Sequence, residues 1–73
     1  MSNEFIANSE WENVLREAQR ENKWASILVI GTYKPFSGTI RKVTPTMVEL
    51  DDRFSVNRIL LSEIKVVRTW KYD

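Results

Sequence analysis

The sequence predicts a mainly β protein with an N-terminal α-helix, in which five short antiparallel strands form a strongly bent barrel. The first observation is a run of apolar residues at helical spacing in the first third of the chain. The second is a series of apolar and β-branched runs, separated by turn residues, in the remainder. The third is a glycine, Gly38, inside the second of these runs. The 73 residues suffice for one domain with a small core.

A helix is predicted over about residues 9–22. Ser9 and Glu12 have the spacing of a capping box, in which each side chain accepts a hydrogen bond from a backbone amide of the first turn. Asn22 suits the end of the helix because asparagine tolerates the left-handed conformation. The apolar stripe of this helix, at positions i, i+3, i+4 and i+7, consists of Trp11, Val14, Leu15 and Ala18.

The remaining residues predict five strands in a barrel that spans about residues 24–72. Their short connections require neighbouring strands to be antiparallel, and barrel formation would remove the two unpaired edges of a flat sheet. An internal glycine such as Gly38 marks a sharp bend or a close approach of another backbone. The strands are expected at about residues 25–32, 36–43, 46–52, 54–61 and 64–71. Residues 1–8 are expected to be flexible, and residues 9–73 to form a single domain.

Alternation along the strands predicts which side chains face the core. In the second strand, Phe36, Gly38 and Ile40 share one face, and Ser37, Thr39 and Arg41 share the other. Near the fourth strand either Phe54, Val56 and Leu60 or Ile59 and Leu61 face inward. The other side chains expected to face inward are Val48, Leu50, Ile64 and Val66.

The sequence has no cysteine and no histidine. Their absence removes disulfides, most zinc sites, the Ser-His-Asp and Cys-His constellations, and the commonest general base at neutral pH. Asp51 and Asp52 are adjacent, so on a strand they would point to opposite faces, and a hairpin turn explains them better than a metal or acid–base pair. The sequence therefore predicts a protein that is not an enzyme and that has no cofactor, metal or small-molecule substrate.

Charge and hydropathy narrow the choice of partners and location. No apolar run approaches the roughly 20 residues of a membrane span, and the N-terminus does not resemble a signal peptide, so we expect a cytoplasmic protein without membrane contact. Residues 1–23 hold five acidic and three basic residues, whereas residues 24–73 hold five acidic and eight basic residues. The barrel therefore has a net charge of +3, which favours an anionic partner.

The order of these features resembles the Sm-like family, and within it the bacterial Hfq branch of RNA chaperones. The resemblance covers roughly residues 10–70 and rests on a helix before five strands, the glycine-centred stretch "FSGTI", the third-strand stretch "MVEL" and the turn "LSEI". It implies an SH3-like barrel, assembly into a homo-oligomeric ring and binding of single-stranded RNA. The Tyr-Lys-His signature of Hfq is absent, because "ILLSE" occupies that position. The Asp-x-x-x-Asn and Arg-Gly elements of other Sm proteins are absent too.

Three groups of residues combine the aromatic and basic side chains that single-stranded RNA favours. They are Tyr33, Lys34 and Phe36 in the first hairpin, Arg41 and Lys42 after the glycine, and Arg68, Trp70, Lys71 and Tyr72 near the C-terminus. A basic rim on the helix, similar in kind to that of Hfq, would consist of Arg16, Arg20 and Lys23. Ordinary solvated cations and a turn aromatic remain the alternative interpretation.

Ring formation would pair the fourth strand of one subunit with the fifth strand of the next. The residues expected at this subunit interface are Ile59, Leu61, Ile64, Val66 and Val67, unless they simply fill the core. A related family of small Rho-binding antiterminators is similar in its helix and barrel but binds a protein. The alternative function is therefore a small regulator on the same scaffold that docks on a larger protein.

Overall fold

The computed structural model describes residues 3–71, and their side chains from residue 9 onward. A helix precedes five strands, and a short 3₁₀ helix separates the last two strands. The elements are α1 (Asn3–Arg20), β1 (Lys23–Val29), β2 (Phe36–Val43), β3 (Met47–Asp51), β4 (Val56–Leu60), the 3₁₀ helix (Leu61–Glu63) and β5 (Ile64–Lys71). The predicted mainly β class with an N-terminal helix is confirmed. In the described part of the chain, no helix is long and apolar enough to cross a membrane.

The strands form one antiparallel sheet in the order β4-β3-β2-β1-β5. The sheet is not closed into a barrel, which corrects the predicted barrel: β4 and β5 are its two edges. These edge strands are consecutive in sequence, and the four residue steps from Leu60 to Ile64 span at most about 14 Å. The sheet therefore bends until its edges approach each other at this corner. Beyond the corner, β5 pairs with β1 along its length and leaves β4 as the opposite edge.

The helix is longer than predicted at its N-terminus. It begins at Asn3, so residues 3–8 are helical and Ser9 lies inside the helix instead of capping it. The segment before Ser9 contains no glycine or proline that would stop the helix there. Met1 and Ser2, the remainder of the predicted flexible segment, lie outside the described residues. The other end agrees with the prediction, because Asn22 adopts a left-handed conformation with φ of 56° directly before β1.

The core lies between the helix and the concave side of the sheet. Leu15 and Ala18 are buried against it as the stripe predicts, and Trp11 packs at its margin. Val14 is 44% exposed, so its predicted place in the core is wrong: the stripe is narrower than four residues. From the sheet, the core receives Ala25, Ile27, Ile40, Val43, Val48, Leu50, Ile59, Leu61 and Ile64.

Gly38 lies where two strands come too close for a side chain. A Cβ atom at this position would lie 2.4 Å from the backbone oxygen of Asp51 and 2.8 Å from its carbonyl carbon. The first half of β2 pairs with β1 and its second half pairs with β3, with a register shift between Ile40 and Lys42. The close backbone approach that the sequence predicts is confirmed, and it occurs where β2 passes from one partner strand to the other.

A bulge in β5 explains why the predicted inward position of Val66 is wrong. Leu28 pairs with Val66, but the next residue of β1, Val29, pairs with Ile64, so Lys65 is an extra residue. The extra residue reverses which side chains of β5 face the core from this point onward. Val66 is consequently 39% exposed on the outer side, whereas Val67 packs against the core. Of the two alternatives near β4, the inward-facing set is Ile59 and Leu61.

The two adjacent aspartates organise the β3–β4 turn, as predicted. One carboxylate oxygen of Asp52 accepts hydrogen bonds from the amides of Phe54 and Ser55, both at 2.8 Å. A carboxylate oxygen of Asp51 accepts a hydrogen bond from the amide of Arg53, also at 2.8 Å. Both side chains are therefore engaged with turn amides, which is the structural role of aspartate in such turns.

We expect the contribution of Asp52 to stability to disappear in acid. The amides of Ser55 and Phe54 hold the pKa of Asp52 below its ordinary value of 3.8. A carboxyl group with a lowered pKa in the folded chain stabilises the fold above its unfolded pKa, and this contribution is lost as the pH falls through the folded pKa. Asp52→Asn keeps an acceptor oxygen but does not ionise. The difference in Tm between the wild type and this variant should shrink on acidification from neutral pH to below 3.8. A constant difference would contradict the role.

Candidate functional site

The side chains of β1 and β5 that alternate with core residues form an exposed face on the side of the sheet away from the helix. Ala25 and Ile27 point to the core, so their neighbours in β1 point outward. Cross-strand pairing places three residues of β5 beside these neighbours. We call the six residues the β1–β5 outer face: Trp24 with Trp70, Ser26 with Arg68, and Leu28 with Val66.

Two tryptophans form a stacked pair at one end of this face. The ring centroids of Trp24 and Trp70 lie 6.5 Å apart with an angle of 22° between the ring planes. Trp70 remains 45% exposed. The guanidinium carbon of Arg53, from the β3–β4 turn, lies 5.8 Å from the centroid of Trp24, within the range of cation–π attraction. An exposed aromatic surface beside a cation suits a planar ligand with negative charge.

The backbone of Arg53 is in a conformation that favours glycine. Its φ is 80°, and a residue with a side chain adopts this region at a cost of about 1–3 kcal/mol. Such costs concentrate at binding sites, where the surrounding structure compensates for them. A side chain at this position therefore costs conformational energy, and the guanidinium of that side chain lies over the ring of Trp24.

A groove occupies the other end of the outer face. Its volume is about 210 Å³, and it is lined by Ser26, Leu28, Tyr33, Pro35, Val66 and Arg68. Tyr33 is 98% exposed at the connection between β1 and β2. Within the described residues, Arg68 has no ion pair or hydrogen-bond partner, and no acidic side chain lines the groove. The groove is thus apolar with one uncompensated positive charge.

The structure brings together some of the predicted RNA-binding residues and separates others. Tyr33, Arg68 and Trp70 lie on or beside the outer face. Phe36 alternates in register with Gly38 and Ile40 as predicted, but at the end of β2 it is 37% exposed and is not part of the core. The predicted RNA-binding residues that contribute neither to the stacked pair nor to the groove are Lys34, Phe36, Arg41, Lys42 and Lys71. Tyr72 lies outside the described residues.

The predicted basic rim is neutralised by neighbouring acids. Arg16 pairs with Glu12 at 2.8 Å, Arg20 with Glu17 at 2.7 Å, and Lys23 with Glu21 at 3.3 Å. Each cation thus has a carboxylate within its own segment, so the rim offers little net charge to an RNA backbone. Arg68 on the outer face and Arg53 beside it are better placed for that role.

The predicted subunit interface is divided between the core and the surface. Ile59, Leu61 and Ile64 are at most 6% exposed in the single chain, so their side chains fill the core and are not available to a second subunit. Val67 packs against the same core. Val66 is 39% exposed, and Leu60, which was not in the predicted set, is 51% exposed. Of the predicted interface residues, Val66 is therefore the one that the single chain leaves exposed, and Leu60 adds a second exposed apolar side chain.

Sequence reasoning missed five residues of this site, namely Trp24, Ser26, Leu28, Pro35 and Arg53, and it assigned Val66 to a subunit interface instead. Trp24 is the second residue of β1 and Trp70 lies near the end of β5, so their pairing joins distant parts of the chain. The sequence places Arg53 only between the third and fourth predicted strands. A signal did exist for Trp24, since it is a bulky aromatic at the start of the predicted barrel of about residues 24–72.

Neither chemistry nor similarity identifies another site. Among the described residues, no group of three His, Cys, Asp or Glu side chains could hold a metal ion. Comparison with models of known families, with curated proteins and with solved structures finds no match to this chain. The geometry of the outer face is therefore the basis for a functional hypothesis.

Proposed function

We propose that this chain is a non-catalytic, Sm-like module of the cytoplasm that binds single-stranded RNA through the β1–β5 outer face and assembles into a ring. The observation that carries the proposal is the stacked pair of Trp24 and Trp70, with Arg53 at 5.8 Å and Arg68 on the same face. Unpaired bases stack on aromatic rings, and arginines attract the phosphates that connect those bases.

The arrangement favours a single strand over a duplex. A base pair in a duplex already stacks on its neighbours, so the tryptophan pair can contact base faces only in an unpaired strand. The attraction to phosphates releases counterions, which makes affinity fall as salt concentration rises. Titration with a single-stranded RNA at several salt concentrations tests the proposal, and absence of salt-dependent binding would overturn it.

The open edges of the sheet support the proposed ring. In the described sheet, β4 and β5 each pair with a neighbour on one side only, and unpaired edges tend to pair with another chain. Pairing of β4 in one copy with β5 in the next would cover both edges and would repeat around a ring. Several weak RNA sites in one ring would also raise the overall affinity through their high effective concentration.

A charge on the edge strand β4 should prevent assembly without unfolding the chain. Leu60 is 51% exposed in β4, so Leu60→Glu should cost the single chain less than about 1 kcal/mol. In the proposed ring, this carboxylate would lie at every edge-to-edge contact between subunits, where burial would remove its hydration. Native mass measurement should show an oligomer for the wild type and a monomer for the variant. Val14→Glu, on the 44% exposed helix position, is the control that should remain oligomeric. A monomeric wild type would contradict the proposed assembly into a ring.

The exposed apolar residues near the edge strand β4 also support an alternative function, docking on a protein partner. β4 carries the exposed Leu60, and the adjoining turn carries Phe54, which is 95% exposed. These apolar residues beside an unpaired edge suit a protein partner that adds a strand to the sheet. A small regulator that docks on a larger protein by this edge remains the second candidate, and it is favoured if RNA does not bind.

A further inference from the structure

The groove beside the tryptophan pair has a lining that selects among bases. Leu28, Pro35 and Val66 supply apolar contacts, and Arg68 supplies hydrogen-bond donors without an acidic partner in the described structure. An arginine guanidinium only donates hydrogen bonds. A ligand that fills the groove must therefore present acceptors to Arg68 and a flat apolar surface to the walls.

We propose that this groove binds one guanine base of a single-stranded RNA, with Arg68 donating hydrogen bonds to guanine O6 and N7. The proposal rests on the RNA-binding function proposed above and adds base selectivity to it. Arginine contacts guanine in this bidentate manner more often than it makes any other specific base contact. Adenine presents N7 beside an amino group, and cytosine presents an amino group, so each places a donor against the donors of Arg68.

The dimensions of the groove agree with a single base. Its volume of about 210 Å³ lies below the roughly 300–1,000 Å³ of pockets that enclose a drug-sized ligand. The ring of Tyr33, which is 98% exposed at the mouth of the groove, offers a further aromatic surface to an inserted base.

The groove also adjoins the stacking surface in a way that one strand of RNA can follow. Arg68 precedes Trp70 by two residues on the same face of β5, a separation of about 7 Å along the strand. One nucleotide at the tryptophan pair and a neighbouring nucleotide in the groove therefore belong to one continuous strand.

The experiment compares two RNAs and two variants. The probes are an oligouridine with one central guanine and the same oligouridine with a central adenine, each titrated into the full chain at low salt. The wild type should prefer the guanine probe by about 5- to 150-fold, the discrimination expected for a bidentate pair. Arg68→Lys keeps the charge but loses the planar pair of donors, so its affinity for the adenine probe should change little while the preference for guanine falls to about twofold or less.

The control variant is Arg58→Lys, at an arginine of β4 that pairs with Glu49 at 3.1 Å outside the groove. It should retain the wild-type preference for guanine. Equal binding of both probes by the wild type, or full guanine preference in Arg68→Lys, would overturn the inference while leaving RNA binding intact. If neither probe binds, the inference and the proposed function both fail.

Discussion

Gly38→Ala is expected to destabilise the fold by about 3 kcal/mol or more, which is a large share of the roughly 5–15 kcal/mol that stabilises a typical domain. The added methyl group would lie 2.4 Å from the backbone oxygen of Asp51. Backbone atoms cannot rotate away as a side chain can. Relief of the clash requires β2 and β3 to separate where the sheet bends, and this breaks the pairing of Thr39 with Asp51. Urea or thermal denaturation measures the loss.

Gly31→Ala is the matched control for this substitution. Gly31 has a φ of 84°, but apart from its chain neighbours no atom of the described residues lies within 4 Å of an added Cβ, so the variant carries conformational strain without a clash. Its expected cost is about 1–2 kcal/mol. A Gly38→Ala variant that is as stable as Gly31→Ala would show that the close approach of the two strands is not required.

Trp70→Ala is expected to weaken binding of a single-stranded RNA by roughly 5- to 150-fold for each site, because base–aromatic stacking contributes about 1–3 kcal/mol per base. Trp70 stacks on Trp24 at 6.5 Å and is 45% exposed, so it has a surface to offer a base. Its truncation removes that surface and leaves the core in place. Fluorescence anisotropy with a labelled oligonucleotide measures the change.

Two further variants separate stacking from folding. Trp70→Phe keeps an aromatic ring and should recover most of the affinity, since stacking tolerates a change of ring. Val14→Ala removes a comparably exposed apolar side chain from the helix, on the far side of the sheet, and should bind as the wild type does. Wild-type affinity in Trp70→Ala, with unchanged Tm, would show that the tryptophan pair does not bind RNA.

The elements set by local patterns were predictable from the sequence. The helical stripe identifies Leu15 and Ala18 as core residues, and alternation identifies the buried face of β2 around Gly38 and Ile40. Local sequence failed where one residue changes the register. The extra residue Lys65 moves Val66 to the outer side, and no turn or glycine in the sequence marks that bulge.

The candidate site was predictable only in part, because it depends on pairing between the first and last strands. Arg68, Trp70 and Tyr33 were found from their residue types. Trp24 was missed, since its position beside Trp70 depends on which strands are neighbours and in what register. The sequence did not predict the open sheet for the same reason. Whether β4 and β5 pair depends on the path of the chain through the 3₁₀ helix between them. The periodicity of apolar residues along the chain does not show which distant strands pair or in what register.

Salt-dependent binding of a single-stranded RNA to the wild-type chain tests the central claim most directly. The measurement is an anisotropy titration at several salt concentrations, with the same sequence as a duplex for comparison. The proposed site predicts that the single strand binds at low salt, that the logarithm of the affinity falls linearly with the logarithm of salt concentration, and that the duplex binds more weakly. No binding of the single strand at low salt, or an affinity that salt does not change, would contradict it.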